Sequence, residues 1–428
     1  RSNLQEILVF TIHSSSFLFT SSRVTFEGKT SFGMSVFNLS NAIMGSGILG
    51  LAFAMSNTGI ILFLILLVSI AILSAYSIHL LLISAGVVGK PISYEQLGNR
   101  AFGAPGKMLA ACIITIHNIG AMSSYLFIVK SELPLVIIAF LGKQTNTGEW
   151  FMNGNYLIMI VSVLVILPLA LMKRLGYLGY TSGFSLSCMV FFLISVIYKK
   201  FNTLCTLEHE YHNMTPIAHT HTDINGTDDS CEAKLFTVNS QTAYTVPILA
   251  FAFVCHPEVL PIYTELRDAT KKRMQNVANV SVLAMFVMYL LTALFGYLTF
   301  YGNVESELLH TYSREGRLDV LVLCVRVAVL MAVTLTVPVV LFPIRRALLQ
   351  ILFPEKPFSW FVHIGIAFCL IFVVNLLVIF VPSIRDIFGL IGTFAACFAA
   401  LGVLFMIMSL SFIIIDWVTG ESRSGGGH

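Results

Sequence analysis

The chain has 428 residues, 57% of them hydrophobic and 11% charged, and its mean hydropathy of +0.85 excludes a water-soluble globular domain. Its formal net charge of +3 gives no reason to expect nucleic acid as a partner. The composition is that of an all-α integral membrane protein in a lipid bilayer, where the placement of Lys and Arg matters more than their sum.

Residues 1–26 carry a short apolar patch broken by His13 and a serine run, and read as a cytoplasmic segment without a cleavable signal peptide. A helix needs about 20 apolar residues to cross the ~30 Å hydrocarbon core. Runs of that kind predict spans near 34–55, 58–85, 107–140, 155–172, 178–198, 241–263, 277–301, 318–343, 360–381 and 387–418. The basic loops Lys90 to Lys107, Lys173-Arg174, Arg267 to Arg273 and Arg345-Arg346 then share one side. The positive-inside rule puts that side, and the N-terminus, in the cytoplasm. This divides the chain into a first helical repeat at 27–198, an extracellular loop at 199–240, a second repeat at 241–418 and a tail at 419–428.

The 199–240 loop holds two sequons, at Asn213 and Asn225, and the pair Cys205 and Cys231. A lumenal origin permits both glycosylation and a disulfide, and the other six cysteines lie in or near apolar spans, where they read as packing residues. His209, His212, His219 and His221 match no firm metal-ligand spacing and read as a solvated histidine-rich loop.

Inside the first span, Gly45-Ser46-Gly47 weakens the helix, since each Gly is about 1 kcal/mol less favourable than Ala there. Close helix packing through Ser40, Gly45, Gly47 and Gly50 is one reading. The other is a break whose free amides and carbonyls bind ions, and it predicts a matching break in the second repeat. The sixth span supplies one in CHPEVLP, where Pro257 and Pro261 remove donors and His256 and Glu258 bring polarity. Paired breaks in the first and sixth of five-plus-five inverted spans point to a transporter with a midplane site.

Asn41 offers oxygen to a hard cation such as Na⁺ or merely bridges helices; spacing does not choose. Thr334 and Thr336 precede Pro338, where carbonyls are freed, yet threonine also back-bonds to its own helix. His117, Asn118, Ser123, Ser124 and Tyr125 form a polar cluster in the third span. Arg326 in the eighth span needs a partner, and Glu132 is proposed as its structural or gating pair, with Lys130 competing. No nucleophile and base constellation suggests an enzyme, and no ring-forming filter motif suggests a channel.

The strings SFGMSVFNLSNAIMGSGILGLAFAM (31–55), AFAFVCHPEVLPIYTEL (250–266), LFGYLTFYGNVESELLHTY (294–312) and VRVAVLMAVTLTVPVVLFPIRRAL (325–348) closely resemble the sodium-coupled neutral amino acid transporters of the amino acid/auxin permease branch. HPEVLPIYTEL, ESELLHTYS and IIIDWVTGESR look most like its system N members, which take up glutamine, asparagine and histidine with Na⁺ in exchange for H⁺. System A members, without obligatory proton exchange, are the alternative. The resemblance implies a plasma-membrane protein with the inverted-repeat fold of the bacterial leucine transporter and no cofactor besides Na⁺ as coupling ion. It implies that amides around Ser46 and Gly47, within Gly45–Ile48, receive the substrate carboxylate. The ammonium and side chain would face the sixth-span break at Phe251, Phe253 and Cys255, with Asn118 lining the cavity. Asn41, the Met44 carbonyl and Thr336 would hold Na⁺.

For proton coupling the candidates are His256 and, secondarily, His428 with its tail. Two departures from the family stand out: residues 1–25 lack its usual acidic, serine-rich tail, and residues 387–417 join the start of the tenth helix to the eleventh near Thr393. A chain missing most of the tenth helix is expected to fall short of full activity. A non-transporting amino-acid sensor is therefore kept as a further alternative.

Overall fold

The computed structural model describes residues 28, 30–88, 93–142, 150–172, 178–202, 232–312, 319–352, 359–381 and 387. Every predicted span that falls on these residues is helical; the predicted span 387–418 lies outside them except for Ile387. The first span is two helices, α1 (Phe32–Met44) and α2 (Leu51–Ser56), joined through a 3-10 turn at Gly47–Gly50 and bent by 42°. Next come α3 (Ile60–Val88), α4 (Tyr94–Leu141), α5 (Gly154–Val161), α6 (Leu167–Ala170) and α7 (Leu178–Asn202). The second repeat holds α8 (Thr245–Phe253), α9 (His256–Glu265), α10 (Lys271–Phe300), α11 (Leu308–Thr311), α12 (Val320–Leu352) and α13 (Trp360–Phe380).

The reading of residues 90–107 as a basic loop needs correction, because α4 begins at Tyr94, with the Ser93 side chain capping the Gln96 amide. Gly103 (φ 67, ψ −153), followed by Pro105, kinks it. A Cβ on Gly98 would lie 2.3 Å from the Gly106 carbonyl, so the two arms approach as closely as glycine allows. The short arm, YEQLGNRAF, is too polar to register as a span.

On α3, Ile61, Leu64, Ile65, Val68 and Ile72 form an exposed apolar stripe at helical spacing, the face a helix turns to lipid. Polar bonds join helices inside the bundle. Asn375 of α13 bonds the Ser162 hydroxyl at 3.0 Å, in the π-helical turn between α5 and α6. Arg345 of α12 donates to the carbonyls of Ala170 (2.5 Å) and Met172 (3.1 Å). At the start of the first span, Thr30 pairs with the end of the sixth, its amide on Glu265 O and its carbonyl receiving the Arg267 amide, both at 2.9 Å. The α10 helix packs against α1, α2 and α3, and α12 against α4 and α7, which brings both breaks to the centre.

Candidate functional site

The first break is set by Gly45, whose φ of 39° and ψ of −154° suit glycine alone and whose Cβ would meet the Tyr125 hydroxyl at 2.7 Å. Ser46 turns its hydroxyl onto Ser124 at 2.5 Å. A Cβ on Gly47 would lie 2.9 Å from Ala252, so the first break rests directly on the sixth span. The helical turn restarting at Gly47 leaves its leading amides without intrahelical acceptors. Small residues at this point therefore serve close approach and interruption together.

In the sixth span α8 ends at Phe253, Val254 is extended (ψ 112), and α9 restarts at His256 with Pro257 in its first turn, where a missing N–H is harmless. Several carbonyls of this break are already engaged. Phe251 O accepts the Val254 amide at 3.3 Å, and Phe253 O accepts the Ser74 hydroxyl at 3.1 Å.

Tyr289 of α10 connects the two breaks. Its hydroxyl lies 2.7 Å from Ile43 O, 3.2 Å from Met44 O and 2.8 Å from Ala252 O, so one proton serves acceptors on both broken helices. Its ring stands edge-on to Phe253 at 5.1 Å. Sequence reasoning missed this residue, because a tyrosine in an apolar run carries no signal of its partners.

Two of the three predicted sodium ligands, Asn41 and Thr336, are in contact. Thr336 Oγ1 is 3.2 Å from Asn41 Oδ1 and also donates to Ala332 O at 2.8 Å. Met44 ends the same helix that carries Asn41. Two serines of α7 join them, with Ser185 Oγ 3.3 Å from Thr336 Oγ1 and Ser182 Oγ 3.5 Å from Asn41 Nδ2. All of these polar side chains are buried, and the oxygens of Asn41, Thr336 and Ser185 are of the kind that suits a hard cation.

Beside the breaks lies a small cavity lined by Gly45, Gly47, Asn118 and Phe251, and also by His117, Tyr125, Val254 and Glu258. Ser46, Ile48, Phe253 and Cys255 are buried behind this lining. Glu258, noted in the sequence only for its polarity, is therefore a cavity residue; among the described residues no Lys or Arg pairs with it. Asn118, on the same lining, is buried with both side-chain polar atoms lacking a hydrogen-bond partner. His256 points elsewhere, its Nε2 on the Ser77 hydroxyl and its carbonyl on Tyr94.

A second polar cluster joins α4, α12 and the connection between α10 and α12. Glu132 Oε2 is 3.2 Å from Arg326 Nε, so the structure brings the proposed pair together. Lys130 instead donates to Val378 O, at 2.9 Å, at the end of α13. His310 joins the cluster 3.2 Å from Glu132 Oε1, and Glu307 lies 3.9 Å from the same imidazole. Burial, and after it the charge of Glu132, pushes the Glu307 carboxyl well up. The Glu132 carboxylate in hydrogen-bonding reach raises His310 against the opposing effect of burial. Cys205, Cys231, Asn213, Asn225, His209, His212, His219, His221, His428 and the junction near Thr393 lie outside the described residues.

The sequence pattern of the family described as "Transmembrane amino acid transporter protein" matches residues 28–415. The chain is 53% identical to "Sodium-coupled neutral amino acid transporter 4" of Homo sapiens over 473 aligned positions, covering 93% of this chain and 86% of that protein. That alignment is longer than the 428 residues of this chain, so part of the relative falls opposite gaps here. Among solved structures, MhsT in complex with L-phenylalanine matches with a TM-score of 0.55 at 12% identity, over 88% of this chain and 90% of that one. The nucleobase-cation-symport-1 family transporter MHP1, in a closed conformation, matches with a TM-score of 0.53 at 13% identity, over 85% and 75% of the two chains. These likenesses establish the inverted-repeat transporter fold. With the family pattern spanning most of its length, the chain belongs to the transmembrane amino acid transporter protein family.

Proposed function

We propose that the chain couples Na⁺ entry to uptake of neutral amino acids, glutamine, asparagine and histidine foremost, with H⁺ leaving in exchange. We place it in the plasma membrane with its N-terminus in the cytoplasm. The observation that carries this reading is the meeting of two broken helices at one cavity, with the Asn41 and Thr336 oxygens 3.2 Å apart on its flank. The sodium-coupled relative at 53% identity supports the choice of ion and substrate class.

The chemistry follows from the groups present. The amides that open at Gly47 suit a carboxylate, while the cavity's Glu258 and backbone carbonyls suit an ammonium. The Thr336 proton already has an acceptor in Ala332 O, which leaves hydroxyl lone pairs for a cation between it and Asn41. A cation held there stiffens the end of α1, the Met44 carbonyl included, and so orders the break that binds the amino acid. Coupling is then the difference in substrate affinity between the ordered and loosened break.

For the proton, Glu258 is favoured over His256, because it faces the cavity among His117, Asn118 and Tyr125 whereas His256 is turned onto Ser77. An unpaired carboxylate inside a span carries a free-energy cost that a proton or a substrate ammonium offsets. The test is uptake of labelled glutamine into vesicles under a sodium gradient, with internal pH recorded. Alkalinisation during Na⁺-driven entry supports proton exchange. Unchanged pH returns the system A-like reading, and Na⁺-dependent binding without uptake supports the sensor reading that the shortened tenth span motivates.

A further inference from the structure

We infer that Glu132, Glu307 and His310 form a binding site for a divalent cation of the zinc class, at the end of the bundle where the α10–α12 connection packs on α4. One nitrogen and two carboxylate oxygens lie within 4.8 Å of one another. Zinc bonds of about 2.0–2.2 Å in tetrahedral array hold ligand atoms about 3.3 Å apart. The His310 and Glu132 atoms already stand at 3.2 Å, and Glu307 is 3.9 Å from the imidazole, so an ion would draw Glu307 inward.

A cluster of acids would not by itself be a site. Here Glu307 is 2% exposed and its Oε1 has no hydrogen-bond partner, a buried acceptor left open on a residue of the cluster. Its Oε2, the oxygen 3.9 Å from the imidazole, takes the Ser131 hydroxyl at 3.3 Å, and Arg326 holds Oε2 of Glu132, so both carboxylates are oriented by a neighbour. His310, with 37% of its side chain exposed, gives the ion a way in. Three ligands including an imidazole, with a fourth position open to water, suit Zn²⁺ better than Ca²⁺ or Mg²⁺, which take six or more oxygens.

The charges facing the site are Glu132 and Arg326 from the flanking helices and Glu305, Glu307 and His310 from the connection; Lys130 is turned away to α13. A bound ion would tie α4, which carries Asn118, to the connection between α10, which carries Tyr289, and α12. Zinc should therefore hold the bundle in one state and slow transport.

The test uses ZnCl₂ and the purified full chain after EDTA treatment, by calorimetry, in a background where His209, His212, His219, His221 and His428 are alanine. We expect about one equivalent bound, and at least about tenfold weaker binding in Glu307→Gln and in the half-exposed His310→Gln. No binding, or binding unchanged in a folded His310→Gln, overturns the site, as does zinc uptake that vanishes with the background histidines alone. Because the readout is binding, its failure is distinct from any failure of the transport reading; slowed uptake in zinc, relieved by His310→Gln, is the functional counterpart.

Discussion

Replacing Tyr289 by Phe tests how the two breaks are held together. The ring would stay packed edge-on to Phe253, so the bundle should still fold, but the hydroxyl that serves Ile43 O, Met44 O and Ala252 O would be gone. Leaving buried acceptors unsatisfied costs about 1–3 kcal/mol. If that penalty falls on the ordered form of the breaks, which binding requires, apparent affinity for amino acid and for Na⁺ drops together by about 5- to 150-fold. Binding of labelled glutamine to purified protein across a Na⁺ titration measures both. Wild-type affinities in a folded Tyr289→Phe protein would refute the idea that this hydroxyl clasps the site.

Gly45→Ala should weaken substrate binding about 5- to 150-fold, since its backbone conformation costs a residue with a Cβ about 1–3 kcal/mol, and adding Tyr125→Phe, which relieves only the 2.7 Å contact, should not restore it. Thr336→Val removes one oxygen from a cation, worth about 1.5–3 kcal/mol, and should raise the Na⁺ concentration for half-maximal uptake at least tenfold; Ser185→Ala, whose hydroxyl lies 3.3 Å behind it, should raise it less. Glu258→Gln should uncouple internal alkalinisation from Na⁺-driven uptake, whereas His256→Gln should leave the two in step. Asp319→Asn, which breaks the pair with Lys199, should change thermal stability at neutral pH by under about 1 kcal/mol, because a third of that carboxylate is exposed. Burial works against the Asp319 charge, but Lys199 together with the Leu321 and Val322 amides outweighs it and lowers its pKa, so that small stabilisation is present at neutral pH and is lost only as pH falls through the acid range.

The breaks themselves were legible because Gly45-Ser46-Gly47 and Cys255-His256-Pro257-Glu258 interrupt apolar runs, and a lipid-facing helix tolerates neither without a reason. Asn41 and Thr336 were legible as polar residues, but only the fold shows them 3.2 Å apart. Ser182 and Ser185 carried no comparable signal, since serine is common in membrane helices and bonds its own backbone as readily as a neighbour. The first arm of α4 was hidden by its polarity, hydropathy being blind to a helix that does not span. Glu307 and His310 stand in ESELLHTY, polar residues in a short connection, and only the folded chain shows that they converge on the Glu132–Arg326 pair. The cavity role of Glu258 depends on which way one turn of α9 faces, and the proline-broken span leaves no periodicity from which to read it.

The most direct test of the central claim is equilibrium binding of labelled glutamine to the purified chain in the presence and absence of Na⁺, with K⁺ as the replacement ion. If a cation between Asn41 and Thr336 orders the break that receives the amino acid, binding is saturable in Na⁺, is lost in K⁺, and weakens in Thr336→Val. Glutamine binding of equal strength in Na⁺ and K⁺ would contradict it.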